Sequence, residues 1–340
     1  MDKKPQDPLS DLDGVPDADD AKRLSQLESH LADEQKKRKE TERQLASARR
    51  IIEEQQQRLE NLHNAKFKIP TSRPTTAQGS FCRVAIPDTH GCFVEPDAIA
   101  AFLSDLEALR PAEVVMLGDH LDCGGFLAEH WTFGYVAEME YTFEEDVSAA
   151  NQLLDAVQRI VPEAAIHYIE GNHERRIEKW CVTQGLKHRA PVNRFLSMFS
   201  PAAVLHLEKR NIQHYQQGKF YGGLPIPATI KLGHCHFTHG SRTGVHAAKM
   251  HLQDFGGNVV FGHTHRSDSH TTRSVNEGTI GGWSSGCLCK LQPYWNHTQI
   301  TGWSHGYGLQ LVDKDGGFLH VNVPIIDGKS YLVPLVEKLA

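Results

Sequence analysis

Five short stretches of this sequence set carboxylates, an amide and imidazoles beside glycine. They are PDTHGC (residues 87–92), GDHLDCGG (118–125), GNHERR (171–176), THG (238–240) and GHTHR (262–266). Each has an ordinary structural explanation when taken alone: Asp-x-His occurs at strand ends, Gly-Asp in turns, and Asn-His as a helix cap. Together, Asp88, His90, Asp119, Asn172, His239, His263 and His265 form an oxygen and nitrogen donor set without thiolate. That mixture suits Mn²⁺, Fe²⁺/³⁺ or Zn²⁺ better than Ca²⁺. On an extended segment, side chains two places apart point to the same side, about 7 Å from each other. Asp88/His90 and His263/His265 would then each reach one or both of two ions spaced about 3.5–4 Å. Asp119 is the natural carboxylate to bridge such ions, because Gly118 beside it lets backbone pack closely.

The elements that must carry these residues follow from periodicity. Residues 81–87, 113–118 and 164–171 read as apolar strands, and residues 95–109, 143–161 and 173–181 have helical spacing. Strands alternating with helices predict an α/β layer with a largely parallel sheet. Beyond about Ile212 the runs are shorter and β-like, at 228–232, 234–240, 258–263, 306–312 and 317–325, with a helix-like stretch at 245–255. In such sheets ligands gather outside the carboxyl ends of the strands, so all five clusters are expected to meet at one edge.

The N-terminal portion has a different character. Residues 1–20 are rich in Asp and Pro and read as a disordered acidic tail. Residues 21–65 read as a coiled-coil-like helix, with Leu24, Leu31, Arg38, Leu45, Ile52 and Leu59 at one heptad position. Residues 24–62 could pair two copies of the chain; a lone helix held by i,i+4 charge pairs is the alternative. A linker follows over 66–80, leaving 81–340 as the catalytic domain.

Composition narrows the class further. The 340 residues are 39% hydrophobic, enough for a substantial core. The net charge of −6 is no basic footprint for nucleic acid; residues 1–65 hold 12 Lys+Arg and 15 Asp+Glu, leaving 24 and 27 for the rest. Two divalent cations would bring that remainder to about +1, which leaves an anionic substrate open. No apolar stretch has the length of a membrane span and no secretory leader is evident, so the expected location is cytoplasmic, with no membrane partner. Seven scattered cysteines suit a reducing compartment, and Cys287 and Cys289 read as ordinary thiols.

DTHG, GDHLD, GNHE, THG and GHTH, in this order and with helix-sized gaps, resemble the five signature blocks of the calcineurin-like metallophosphoesterases. The resemblance spans Asp88 to His265. It implies two facing β-sheets flanked by helices, here preceded by the N-terminal helix. It also implies two divalent metal ions, manganese first, with iron or zinc as alternatives. By the same resemblance, Asp88, His90, Asp119 and His265 would hold one ion, and Asp119, Asn172, His239 and His263 the other. The implied reaction is in-line attack on phosphorus by a hydroxide held between the ions. His173 would act as general acid and Asp122 as the partner orienting its ring. Arg175, Arg176, Arg242 and Arg266 are candidates to grip phosphate, since a guanidinium forks onto two oxygens.

The favoured substrate is a nucleic-acid or nucleotide phosphodiester, DNA or RNA included, with Trp131, Phe133 and Tyr135 as candidate stacking residues. The related Ser/Thr protein phosphatases carry arginine after the second aspartate, in a block of the form GDxVDRG. Cys123 stands there in this chain, which weighs against that branch. A phosphomonoesterase or Ser/Thr protein phosphatase-like enzyme is the alternative, and a coiled-coil scaffold with a vestigial metal site the third reading.

Overall fold

The computed structural model describes residues 79–124, 142–217, 227–293 and 300–334. It also describes scattered helical positions within 22–50 and the backbone of two short strand pairs, Trp131–Thr132 with Tyr135–Val136 and Phe220–Tyr221 with Leu224–Pro225. The expected acidic tail, most of the heptad seam, the linker up to residue 78 and the side chains of Trp131, Phe133 and Tyr135 lie outside the described residues. The chain divides into units Met1–Lys68 and Ile69–Ala340. In the first, residues 33–39 are helical and solvent-exposed, with the pairs Lys37–Glu34 and Arg38–Glu42 one turn apart. Exposed pairs of this kind contribute at most about 0.5 kcal/mol each.

In the second unit, β1 (Phe81–Ile86), β2 (Glu113–Met116), β3 (Ala165–Ile169) and β4 (Gln213–Tyr215) run parallel. Helices α1 (Pro96–Leu109), α2 (Phe143–Ile160), α3 (Glu174–His188) and α4 (Val192–Phe199) fall between them in sequence. A second set comprises β5 (Thr229–Leu232), β6 (Cys235–Thr238), α5 (Ala247–Phe255), β7 (Asn258–Phe261), β8 (Ser267–Ser274) and β9 (Gly278–Ser285). The chain then returns through β10 (Gly306–Val312), β11 (Phe318–Ile326) and β12 (Lys329–Ser330). The seven-stranded sheet has the order β12-β11-β10-β1-β2-β3-β4, and the five-stranded sheet β8-β9-β7-β6-β5. The first sheet is mixed rather than largely parallel, because β10 joins β1 antiparallel, with Val84 opposite Leu309.

Side-chain alternation explains the layers. Val84, Ile86, Val114, Met116, Ile166 and Tyr168 pack with Phe102, Leu106, Leu154 and Val157 of α1 and α2. From the opposite faces of the same strands, Ala85, Val115, Leu117 and Ile169 pack against Cys235, Phe237 and Val260 of the second sheet. Helix α5 covers that sheet's far side, where Ala248 packs on Phe261 and Leu252 on Val259. These residues form two facing sheets flanked by helices, and each large side chain buried contributes roughly 1.5–3 kcal/mol. Arg83 lies between the sheets at 3% exposure, 2.6 Å from Glu113 Oε2 and 2.9 Å from Gln310 Oε1, so its charge is paired where water is excluded. Helix α2 starts on a capping box: Thr142 Oγ1 accepts from Glu145 N, and Glu145 Oε2 accepts from Thr142 N at 2.7 Å. Among the described residues, no helix is long and apolar enough to cross a membrane.

Candidate metal centre

Every candidate donor sits just past the carboxyl end of a parallel strand. Asp88 and His90 follow β1, Asp119 and Asp122 follow β2, Asn172 and His173 link β3 to α3, His239 follows β6, and His263 and His265 follow β7. The two sheets thus bring positions from 88 to 265 to one edge. The backbone there is not extended: φ is +51° at His90, +52° at Asp119, +68° at His263 and +55° at His265. Side-chain spacing along a strand therefore does not apply to Asp88/His90 or His263/His265. Left-handed turns aim these side chains instead, each at a local cost of roughly 1–2 kcal/mol.

Close packing of the turns depends on glycine. A Cβ at Gly171 would collide with Asp119 Oδ1 and lie 2.5 Å from the Asp119 amide nitrogen. At Gly118 (φ +96°) it would lie 2.6 Å from Gly171 N and 2.9 Å from His239 Nδ1. Glu174 then ties the second and third clusters together. Its buried carboxylate accepts from the backbone N–H groups of Asp119, His120, Leu121 and Gly171 at 2.8–3.2 Å, and from Tyr168 OH at 2.9 Å. Burial, then Asp119 nearby, push the Glu174 carboxyl up to about 7, while its donors favour the ionised form.

The donors form two groups. In one, His265 Nε2 lies 3.1 Å from both Asp88 Oδ1 and His90 Nε2. In the other, His239 Nε2 lies 2.8 Å from Asn172 Oδ1, 3.1 Å from His263 Nδ1 and 3.2 Å from Asp119 Oδ2. Asp119 also falls within a cluster with Asp88 and His90, so its carboxylate reaches both groups. Asp88, His90, Asp119, His239 and His265 are buried, His173 and His263 half-buried, and Asn172 exposed.

The tautomers test whether cations fit. His239 Nδ1 lies 2.9 Å from the Leu117 carbonyl and must carry a hydrogen to bond it. In the neutral ring, Nε2 then presents a lone pair to the oxygens of Asn172 and Asp119, an arrangement that only positive charge relieves. His90 also directs Nδ1 to a carboxylate, 2.7 Å from Asp122 Oδ1, which leaves its Nε2 as a lone pair aimed into the first group, 3.1 Å from His265 Nε2. Ligand atoms about 2.0–2.1 Å from one ion stand about 3.0–3.4 Å apart, so the 3.1 Å nitrogen-to-nitrogen contacts match adjacent corners of a coordination shell. Burial lowers the His239 pKa, but Asp119 and Asp88 outweigh it and raise it to about 9. The same field favours any cation. The donor set therefore fits two borderline divalent ions.

Asp122 lies between two imidazoles. Its carboxylate is 2.7 Å from His90 Nδ1 and 3.2 Å from His173 Nδ1, while its carbonyl accepts from His173 Nδ1 at 2.8 Å and from Arg176 Nη1 at 3.0 Å. His173 Nε2 lies 3.1 Å from Arg176 Nη2. Burial lowers the His173 pKa, but Asp119 and Asp122 raise it to about 9. A cavity of about 220 Å³ opens over the centre, lined by His173, Arg176 and His263 among others. Of the four arginines considered, Arg176 lines that cavity. Arg175 is exposed, Arg242 pairs with Asp254 at 2.9 Å, and Arg266 donates to the carbonyls of Thr243 and Gly244.

The family model of the calcineurin-like phosphoesterases matches residues 84–267, more than half of the chain. This chain belongs to the calcineurin-like phosphoesterases. It is accordingly a hydrolase of phosphoester bonds. The gene 54 protein of Mycobacterium phage D29 is 27% identical over 262 residues, which cover 72% of this phosphoesterase and 94% of the phage protein. Vacuolar protein sorting 29 from Cryptosporidium parvum is 10% identical, with a TM-score of 0.38 over 74% of this chain and 95% of that one.

Several residues of the phosphoesterase site were not singled out by sequence reasoning. Glu174 had a signal, an acidic residue at a helix start inside GNHE, but its multiple accepted bonds depend on tertiary contact. Cys289 shows no partner in its local sequence, yet its Sγ lies 3.9 Å from His265 Nδ1 and it lines the cavity. Phe93, Lys290 and Trp303 also line the cavity and lie in no donor cluster. His120 and His251, near the clusters but outside the donor set, have local partners: Thr89 Oγ1 at 2.9 Å from one, and the ring of Phe261 stacked on the other.

Proposed function

We propose that the chain is a phosphodiesterase acting on nucleic-acid or nucleotide phosphodiesters with two bound divalent ions, manganese first. Asp88, His90, Asp119 and His265 would hold one ion, and Asp119, Asn172, His239 and His263 the other, with Asp119 shared. The ions would supply Lewis-acid charge to the phosphoryl oxygens and an activated water as nucleophile. The observation that carries this reading is the pair of donor groups meeting at the buried Asp119, each with two imidazole nitrogens 3.1 Å apart.

The chain's own residues complete the reaction. His173, held through Nδ1 by the Asp122 carbonyl, lines the cavity, and its Nε2, 3.1 Å from Arg176 Nη2, would deliver a proton to the departing alkoxide. Arg176, anchored to the same carbonyl, places a guanidinium beside that leaving oxygen and balances its growing charge. Asp122 sets the ring orientation of both His90 and His173.

Purified protein with Mn²⁺, assayed on bis-p-nitrophenyl phosphate, p-nitrophenyl phosphate and labelled DNA and RNA, tests the reading. Turnover of diesters and nucleic acid above that of the monoester is expected. Faster monoester turnover replaces it with a phosphomonoesterase, and silence on every substrate with metal bound overturns it.

A further inference from the structure

The cavity over the donor groups has an aromatic side that the five clusters do not account for. Phe93 and Trp303 line it together with Lys290 and Pro293. Phe93 closes the short turn Gly91–Phe93 directly after His90. Trp303 stands edge-on to His265, with ring centroids 4.1 Å apart. Lys290 Nζ lies 5.9 Å from the centroid of the Phe93 ring. Backbone bonds tie these residues to the donor-bearing turns: Lys290 N donates to the Phe93 carbonyl at 2.8 Å, and Ser304 N to the His265 carbonyl at 2.9 Å. The backbone segments that carry these rings are therefore tied to the turns that carry His90 and His265.

A tryptophan whose only task is to brace a ligand imidazole needs no exposed surface. Both Phe93 and Trp303 are only half-buried, and their open surface borders the space where a substrate must sit. At about 220 Å³ this space is smaller than the roughly 300–1,000 Å³ of clefts that bury a whole drug-sized ligand. It accommodates the reacting phosphoryl group and the first group attached to it, with the remainder of a longer substrate outside.

We propose that Trp303, with Phe93, is a stacking platform for the base of a nucleoside whose sugar is esterified to the reacting phosphate, on the side away from the leaving group, with Lys290 beside it as a further cation for a neighbouring anionic oxygen. The site then selects nucleoside-type phosphodiesters over aliphatic ones. This rests on the phosphodiesterase reading above and narrows its substrate class. Stacking gives affinity without base identity, since every base has a π-face.

Two diesters with the same leaving group test the platform: p-nitrophenyl thymidine 5′-phosphate and p-nitrophenyl methyl phosphate, compared by kcat/KM on the Mn²⁺-loaded full chain. The thymidine ester is expected to be favoured by about tenfold or more, as loss of one stacked base implies. In Trp303→Ala that ratio falls to within about twofold of one, and Trp303→Phe retains most of it. A wild-type ratio near one, or equal losses on both esters in Trp303→Ala, overturns the platform and leaves Trp303 as a brace for His265. Tryptophan fluorescence separates the two claims. Should neither ester turn over, quenching by thymidine 5′-monophosphate but not inorganic phosphate, lost in Trp303→Phe, sustains the platform and overturns the phosphodiesterase. Neither turnover nor quenching overturns both.

Discussion

Replacing Glu174 by glutamine tests how the second and third clusters are locked together. The substitution keeps the shape and removes a charge and an acceptor. Oε1 now accepts from His120 N, Leu121 N and Tyr168 OH, and Oε2 from Asp119 N and Gly171 N. With the glutamine oxygen at the Oε1 place, its NH₂ faces the N–H groups of Asp119 and Gly171, and three donors meet without an acceptor. A buried N–H left unpaired costs roughly 1–3 kcal/mol, so the two together cost about 2–6 kcal/mol. That is a large share of the roughly 5–15 kcal/mol that holds a typical domain. Urea unfolding at pH 8 in chelator, followed by circular dichroism, should show a lower midpoint with an unchanged slope. The pH lies above the value of about 7 to which Glu174 is pushed, so the wild-type carboxyl is ionised. A loss below about 0.5 kcal/mol refutes the argument, because a carboxyl that is already a neutral acid has a donor where glutamine puts its NH₂.

Replacing His173 by alanine should slow hydrolysis of diesters with poor leaving groups by roughly 10²- to 10⁴-fold while two metals per chain remain by elemental analysis; full activity on such substrates removes it from the role of general acid. Gly171→Ala forces a methyl group onto Asp119 and should cost about 1–3 kcal/mol or more by thermal unfolding, with weaker Mn²⁺ binding by calorimetry. His320, remote in sequence from the donors, gives a pH signature: burial lowers its pKa to about 4 despite a bond to Asn322. The unfolded imidazole titrates near 6.5, so between pH 6.5 and 4 the unfolded state binds more protons and stability falls with pH. The fall reaches about 2 kcal/mol by pH 5 and should be absent from the difference between His320→Gln at pH 7 and pH 5.

Much of the centre was legible because its donors travel in short glycine-flanked clusters behind apolar strands, and β1, β2, β3, β6 and β7 all lie where such runs occur. The mixed first sheet was less so, since nothing local in residues 306–312 says that they pair antiparallel with residues 81–85. The long hairpin β8–β9 was not anticipated: SDSHTTRS is polar, and its strands form through backbone pairing with GTIGGWSS rather than through an apolar period. Left-handed φ at His90, Asp119, His263 and His265 also escaped, because residues other than glycine seldom take that conformation. The aromatic wall depends on residues about 200 positions apart, Phe93 and Trp303, each an ordinary apolar residue in its local context.

Those four left-handed positions alter what mutagenesis of this centre will measure. Alanine at His90, Asp119, His263 or His265 removes a donor and also leaves a Cβ-bearing residue in a conformation it resists, without the packing that enforced it. A β-branched replacement such as valine adds a steeper torsional penalty. Asparagine, whose short amide tolerates this region of φ and ψ, separates ligand chemistry from backbone preference. A library built at these positions should consequently recover glycine and asparagine among folded survivors more often than hydrophobicity or volume would rank them.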